Sequence, residues 1–265
     1  MTTEQALATF AGRFGASTFR PTFGRSFVSE MKKLNTRAIT ITCALALVMY
    51  LSIQTLSATR GNVPYTTSDS IVGGTSLIML FVIIIGSLAV TSEYSHNTMR
   101  TTALADSNRT RAFFAKMSAS ATVSALLTLT LIVFSALIQT LAPPRFDALD
   151  EGWRPYIAMF LCLVMVSIMA TAFGYILRST AGTISLMVGL LYVIDLFRVI
   201  PMDFFREVYP QITPSGLLQM GIMRYTDIPE ELRLFTEPWI AVAIFAAYTT
   251  VVVVLGWLAY RRRDI

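Results

Sequence analysis

Thr91–Lys116 reads TSEYSHNTMRTTALADSNRTRAFFAK, and this stretch decides the fold. It is a long polar, basic segment between two strongly apolar runs. Ile71–Val90 on one side carries no charged residue, and neither does Met117–Leu141 on the other. An apolar run of about 20 residues, helical at ~1.5 Å per residue, crosses the ~30 Å hydrocarbon core of a bilayer. The segment joining two such runs must lie outside the hydrocarbon. Arg100, Arg109, Arg111 and Lys116 outnumber Glu93 and Asp106. Cytoplasmic loops carry the excess of Lys and Arg, so the segment is expected on the cytoplasmic side.

Composition agrees. The chain has 265 residues, 54% hydrophobic and only 14% charged, where a soluble domain carries about 25% charged residues. The expected class is an all-α integral membrane protein with little room for a separate soluble domain. The net charge of +5 is no nucleic-acid signature, because the cations flank apolar runs. Cys43 and Cys162 each fall inside such a run and read as core residues, not as a disulfide or zinc framework. His96 is the only histidine, which argues against a histidine metal cluster or a Ser-His-Asp triad. No apolar signal segment precedes Ala38, so a cytoplasmic N-terminus is expected.

Taken in order, residues 1–24 read as a cytoplasmic tail broken by Gly12, Gly15, Pro21 and Gly24. In 25–37, RSFVSEMKKLNTR, the residues Phe27, Met31 and Leu34 recur at helical spacing, with Glu30, Lys32, Lys33 and Arg37 on other faces. This predicts a short amphipathic helix suited to the headgroup layer. Six spans are expected, at about 38–56, 70–90, 116–141, 153–177, 181–200 and 238–260. The third is rich in hydroxyls (Ser118, Ser120, Thr122, Ser124, Thr128, Thr130, Ser135), which suit close helix contact or a polar path. Ala142-Pro143-Pro144 ends it. In the fifth span Ala181, Ser185 and Gly189 place small residues four apart on one face, a candidate helix contact. Residues 201–237 hold Pro201, Pro210 and Pro214 and no apolar run long enough to span. Short external helices dipping into the outer leaflet are expected there. A basic cytoplasmic tail, 261–265, closes the chain. Fourteen of the 21 Lys and Arg residues fall on the segments assigned to the cytoplasm, which favours both termini inside.

Little chemistry is visible. No G-x-x-x-x-G-K-[ST] loop, H-E-x-x-H or G-x-S-x-G occurs, so neither nucleotide hydrolysis nor a familiar catalytic site is expected in this chain. The chain is expected not to be an enzyme and to carry no cofactor or metal. Asp195 is the one acid inside a span. Such an acid marks a substrate or gating site by default, whereas Arg198, three residues on, suggests a local ion pair.

The polar segment also carries a resemblance. Glu93-Tyr94, then Asn97-Thr98-Met99-Arg100-Thr101-Thr102, Ser107-Asn108-Arg109 and Ala115-Lys116, resemble the loop after the second span in permease subunits of bacterial ABC exporters of type 2. The basic amphipathic helix, the six spans and the long external segment between spans five and six resemble that family too. For 201–237 the likeness is architectural only. The resemblance implies a transport subunit that does not hydrolyse ATP. A separate ABC ATPase, carrying ATP and Mg, would dock on a coupling helix formed by this loop. Glu93, Tyr94, Thr98, Met99, Arg100, Thr101 and Arg109 are the coupling candidates, with Tyr94, Met99 and Leu104 as apolar points for the partner's groove. A second copy of the chain or a similar permease would complete the transporter in the bacterial plasma membrane. Ala181, Ser185, Gly189, Asp195 and Arg198 are candidates for the dimer contact or substrate path. The expected cargo is amphipathic: a drug, an antimicrobial peptide or a lipid-like compound. An ion-coupled secondary transporter, an intramembrane enzyme and a membrane sensor or assembly protein are the competing readings. The first would need coupling-ion ligands in repeated halves, and no repeat is seen.

Overall fold

The computed structural model describes residues 22–60, 72–96, 98–99, 108–141, 153–222 and 230–262. Among these every regular element is helical and no strand occurs. The α-helices used below are α1 (Phe23–Leu34), α2 (Arg37–Arg60), α3 (Thr75–Ser95), α4 (Arg109–Leu141), α5 (Arg154–Leu177), α6 (Thr180–Val188), α7 (Pro214–Ile222) and α8 (Pro238–Arg262). Six stretches are long and apolar enough to cross a membrane: Arg37–Thr59, Thr75–Ser95, Arg109–Ile138, Arg154–Leu177, Thr180–Val199 and Pro238–Arg262. These are the helices of a multi-pass membrane protein. Their outward sides agree, since Ile41, Leu45, Val48, Ile53 and Leu56 of α2 are exposed on the isolated chain.

Helix α5 is the centre. It packs on α3, α4, α7 and α8, and its Met159, Cys162, Leu163, Val166 and Ala170 are fully buried. Two glycines let its neighbours approach at backbone distance. A methyl group at Gly86 of α3 would fall 2.6 Å from the Ser167 carbonyl oxygen of α5. One at Gly256 of α8 would fall 2.9 Å from the Ala172 carbonyl oxygen. In lipid, where hydrophobic attraction between helices is absent, such close contact supplies the dispersion energy that holds them.

The hydroxyls of α4 serve the same contact. Ser120 and Ser124 lie 2.9 and 2.8 Å from the Ser167 hydroxyl of α5. The Thr171 hydroxyl is 2.9 Å from that of Ser120 and 2.8 Å from the Ser167 carbonyl. Thr122 and Thr130 instead bond back to carbonyls one turn earlier on their own helix. Ser120 and Ser124, two of the four buried hydroxyls of the third span, therefore form a seam between α4 and α5.

Three differences from the sequence expectation have physical causes. The helix expected at 116 begins at Arg109, because Asn108 accepts a bond from the Arg111 amide through its side chain and starts the helix early. The fifth span is α-helical only to Val188. It continues as a π-helix at Gly189–Val193 and a 3-10 helix at Ile194–Val199. Those altered turns aim Tyr192 at the Ser76 carbonyl of α3 and let the Ile194 carbonyl accept from Tyr209. Lastly, α7 in the segment expected to dip into lipid is buried inside the protein. Thr213 caps its first turn, accepting from the Gly216 amide at 3.3 Å, and Pro214 occupies the position where a missing N–H costs nothing. Leu217, Leu218, Met220 and Ile222 then join the main core against α5 and α8. Gln211, buried, staples the segment by donating to the Glu207 and Leu232 carbonyls and accepting from the Leu234 amide.

Gly86→Ala is expected to destabilise the chain by roughly 1–3 kcal/mol through overpacking. Ser167→Ala should cost less, roughly 0.6 kcal/mol per lost interhelical bond. Thermal unfolding in detergent reads both. An unchanged midpoint for Gly86→Ala would mean that α3 and α5 are not held at contact distance.

Candidate functional site

The chemistry concentrates where α3 ends and the polar segment begins. Helix α1 packs along α4. Its apolar residues Phe27, Met31 and Leu34 meet Ile39, Ala89, Ala119 and Val123. The stripe that would suit a lipid surface is therefore partly covered by protein, with Leu34 buried and Phe27 and Met31 half-buried. Glu30, expected on another face, lies on that same stripe, three residues after Phe27 and four before Leu34, and the packing carries its carboxylate inside.

There it meets three other charges. Lys116 Nζ of α4 is 2.5 Å from Glu93 Oε1 of α3 and 3.0 Å from Glu30 Oε2. Lys33 Nζ is 2.6 Å from Glu30 Oε1 and 3.1 Å from Glu93 Oε1. Two lysines thus alternate with two glutamates in a closed, formally neutral ring. Lys116 is 2%, Glu30 5% and Glu93 7% exposed. Taking such charges out of water is costly, and only mutual pairing repays it. The pairing also links three elements that are remote in sequence. One acceptor stays open: Glu93 Oε2 is buried with no hydrogen-bond partner among the described residues. Lys33 is the rim of the ring. Burial opposes its charge, but hydrogen bonds and the charges of Glu30 and Glu93 outweigh that and hold its pKa above the usual 10.5.

An aromatic layer lies beside the ring. Phe113 of α4, Tyr175 of α5 and Tyr260 of α8 pack with centroids 4.8 to 6.2 Å apart. Tyr175 is fully buried, so all three helix ends are locked together at this level. The Arg178 guanidinium lies over the Tyr94 ring at 5.3 Å. Arg178 itself adopts a left-handed conformation, φ 55°, that ends α5 and turns the chain into α6.

The coupling candidates separate. Glu93 is interior, as part of the ring. Met99, expected to seat in a partner's groove, is buried in the chain's own core with Val90, Phe113 and Met117. It is an anchor for the segment, because the nearest apolar surface is its own bundle. Thr98 is exposed, its amide donating to the Glu93 carbonyl at 3.0 Å. Arg109 donates to the Arg261 carbonyl at 3.2 Å. Arg100, Thr101 and Leu104 lie outside the described residues. His96 Nδ1 is 2.8 Å from the Ser92 carbonyl at the end of α3, a local capping contact.

The second group of candidates lies in and beyond α6. Ala181 and Ser185 are exposed on the isolated chain, and Gly189 has open space where a side chain would stand. Arg198 lies 3.0 Å from Asp195. Gln219 of α7 closes a triangle, accepting from Arg198 at 2.9 Å and donating to Asp195 at 3.1 Å. Among the described residues no group of three His, Cys, Asp or Glu side chains could hold a metal ion. No protein-family model and no curated protein matches the chain.

Sequence reasoning missed Glu30 as a site residue. The signal was its position, since a charge on an apolar stripe at helical spacing needs a buried counter-charge. Lys116→Met is expected to destabilise the protein by roughly 3–5 kcal/mol, because it leaves two buried carboxylates sharing the single rim cation Lys33. Adding Glu30→Gln should recover part of that loss, and thermal unfolding of the single and double variants measures both. A midpoint for Lys116→Met within a degree of wild type would exclude the ring as a structural link. The Lys33 contact should stabilise fully below about pH 10.5 and fade as pH rises through the higher folded-state pKa. The stability difference between wild type and Lys33→Met should therefore be flat from pH 6 to 9 and shrink only in strong alkali.

Proposed function

We propose that this chain is the membrane-spanning permease subunit of an ATP-driven exporter resembling the bacterial ABC type-2 class. It would move an amphipathic compound outward with energy from a separate ATPase. The observation that carries the reading is the buried ring at the head of the polar segment. Glu93, the first residue of the resembling motif, is tied through Lys116 and Lys33 to α4 and α1. A pull on the segment after Glu93 would therefore reach three helices at once. That is what a coupling element needs, and a plain connector would have no reason to bury two ion pairs.

In this reading the segment after α3 forms the coupling helix, and ATP with Mg resides on the partner. Met99 and Glu93 hold the segment to the bundle. Thr98, Arg100, Thr101 and Arg109 face the ATPase. Helix α1 lies along the inner headgroup layer with Arg25 and Lys32 toward lipid, while its apolar stripe grips α4. Both termini are cytoplasmic, and the plasma membrane of a bacterium is the setting. Two permease halves, identical or similar, complete the transporter. The exposed faces of α2 and α6 are the surfaces that would meet.

Native mass spectrometry on the tagged chain, drawn gently from its own membrane, tests the assembly. Two copies with two copies of a Walker-loop ATPase are expected. Finding the folded chain alone or with other partners in several mild detergents would overturn the reading. Arg100→Glu should leave the chain folded and remove the ATPase from the complex. Full retention of the ATPase and of its coupled transport would count against the coupling assignment.

A further inference from the structure

A cavity of about 340 Å³ lies between the start of α3, the irregular end of the fifth span and α7. Met79, Leu191 and Leu218 form buried apolar walls, and Leu196 stands exposed at the rim. Among the described residues the only charged side chain in the lining is Asp195. Its partner Arg198 is not part of the wall. The cavity is half-open and presents a carboxylate beside apolar walls, and the size suits a small amphipathic molecule.

The carboxylate has capacity to spare. Oδ1 accepts from Arg198 and Oδ2 from Gln219, whereas an ionised carboxylate offers about four acceptor sites. A donor entering the cavity can take a remaining one without breaking the triangle. At hydrogen-bond distance an ammonium lies closer to this carboxylate than to a guanidinium outside the wall, so attraction exceeds repulsion. The chain also departs from α-helix at this wall. Its π-turn, Gly189–Val193, supplies Leu191, Tyr192 and Val193 to the lining, and such turns are frequent at functional sites.

We propose that this cavity binds an amphipathic primary or secondary amine, its ammonium on Asp195 and its apolar body against Met79, Leu191 and Leu218. Calling the bound amine cargo rests on the exporter reading; the binding itself does not.

The test uses the full chain in lipid nanodiscs with no ATPase present, so a failure of binding is separate from a failure of assembly or transport. The probe is dansylcadaverine, whose primary amine is protonated at pH 7, and the control is its N-acetylated analogue, which keeps the dye and loses the charge. Binding is read by dansyl fluorescence after subtraction of protein-free discs. The amine should bind at least tenfold more tightly than the acetylated control. Asp195→Asn should remove that preference, and Ser76→Phe, at the exposed rim of the cavity, should weaken the amine at least fivefold. Equal affinity of the two probes for the wild type overturns the proposal without any variant. So does an undiminished preference in folded Asp195→Asn, or unchanged amine binding in Ser76→Phe.

Discussion

Lys116 is the residue on which the end of the bundle where α3 meets the polar segment depends. Its ammonium is buried and shared by two carboxylates from two other helices. A single lysine on an apolar helix would ordinarily reach for water. Here Ala115 and Met117 are buried beside it, and the nearest charges are Glu93 and Glu30. The ring that results holds α1, α3 and α4 in one arrangement, and the adjoining Phe113, Tyr175 and Tyr260 layer extends the lock to α5 and α8. Buried ion pairs add little net stability against an apolar replacement, but they penalise every arrangement that separates the partners. Specific mutual placement, more than stability, is what three buried charges and the rim lysine give this end of the protein.

The other end is built differently. Its polar triangle of Asp195, Arg198 and Gln219 is half-open and sits on helix turns of unequal width. Gln211 and the buried α7 brace the segment from inside, and Arg154 donates to the Gly221 carbonyl at 3.1 Å to tie it to α5. One end is thus a closed electrostatic lock, and the other a braced segment around a cavity.

The sequence made some of this legible and hid the rest for identifiable reasons. Six long apolar helices follow from hydropathy, because length and charge exclusion are properties of neighbours in the chain. Asp195 and Arg198 could be paired from their spacing alone. Gln219 could not, since it arrives from α7, 21 residues beyond Arg198. The apolar stripe of α1 was visible, but a stripe does not say whether lipid or protein covers it. Met99 likewise looked like a surface anchor and turned out to be core. For 201–237, prolines and short apolar runs predicted short helices correctly in kind. The burial of α7 depends on partners in α5 and α8 that no local pattern reveals.

Gly86 and Gly256 press α3 and α8 onto neighbouring positions of α5, Ser167 and Ala172, with no side chain of their own between the backbones. Surfaces that meet through side chains can slide by switching rotamers. Surfaces that meet backbone to backbone have nothing to re-sort, and displacement means separating them outright. Helices α3, α5 and α8 therefore form a slab joined at backbone contact. At its margin α2 and the fifth span meet α3 through side chains instead, Tyr50 over Gly74, Tyr192 on the Ser76 carbonyl and Thr180 on Thr91.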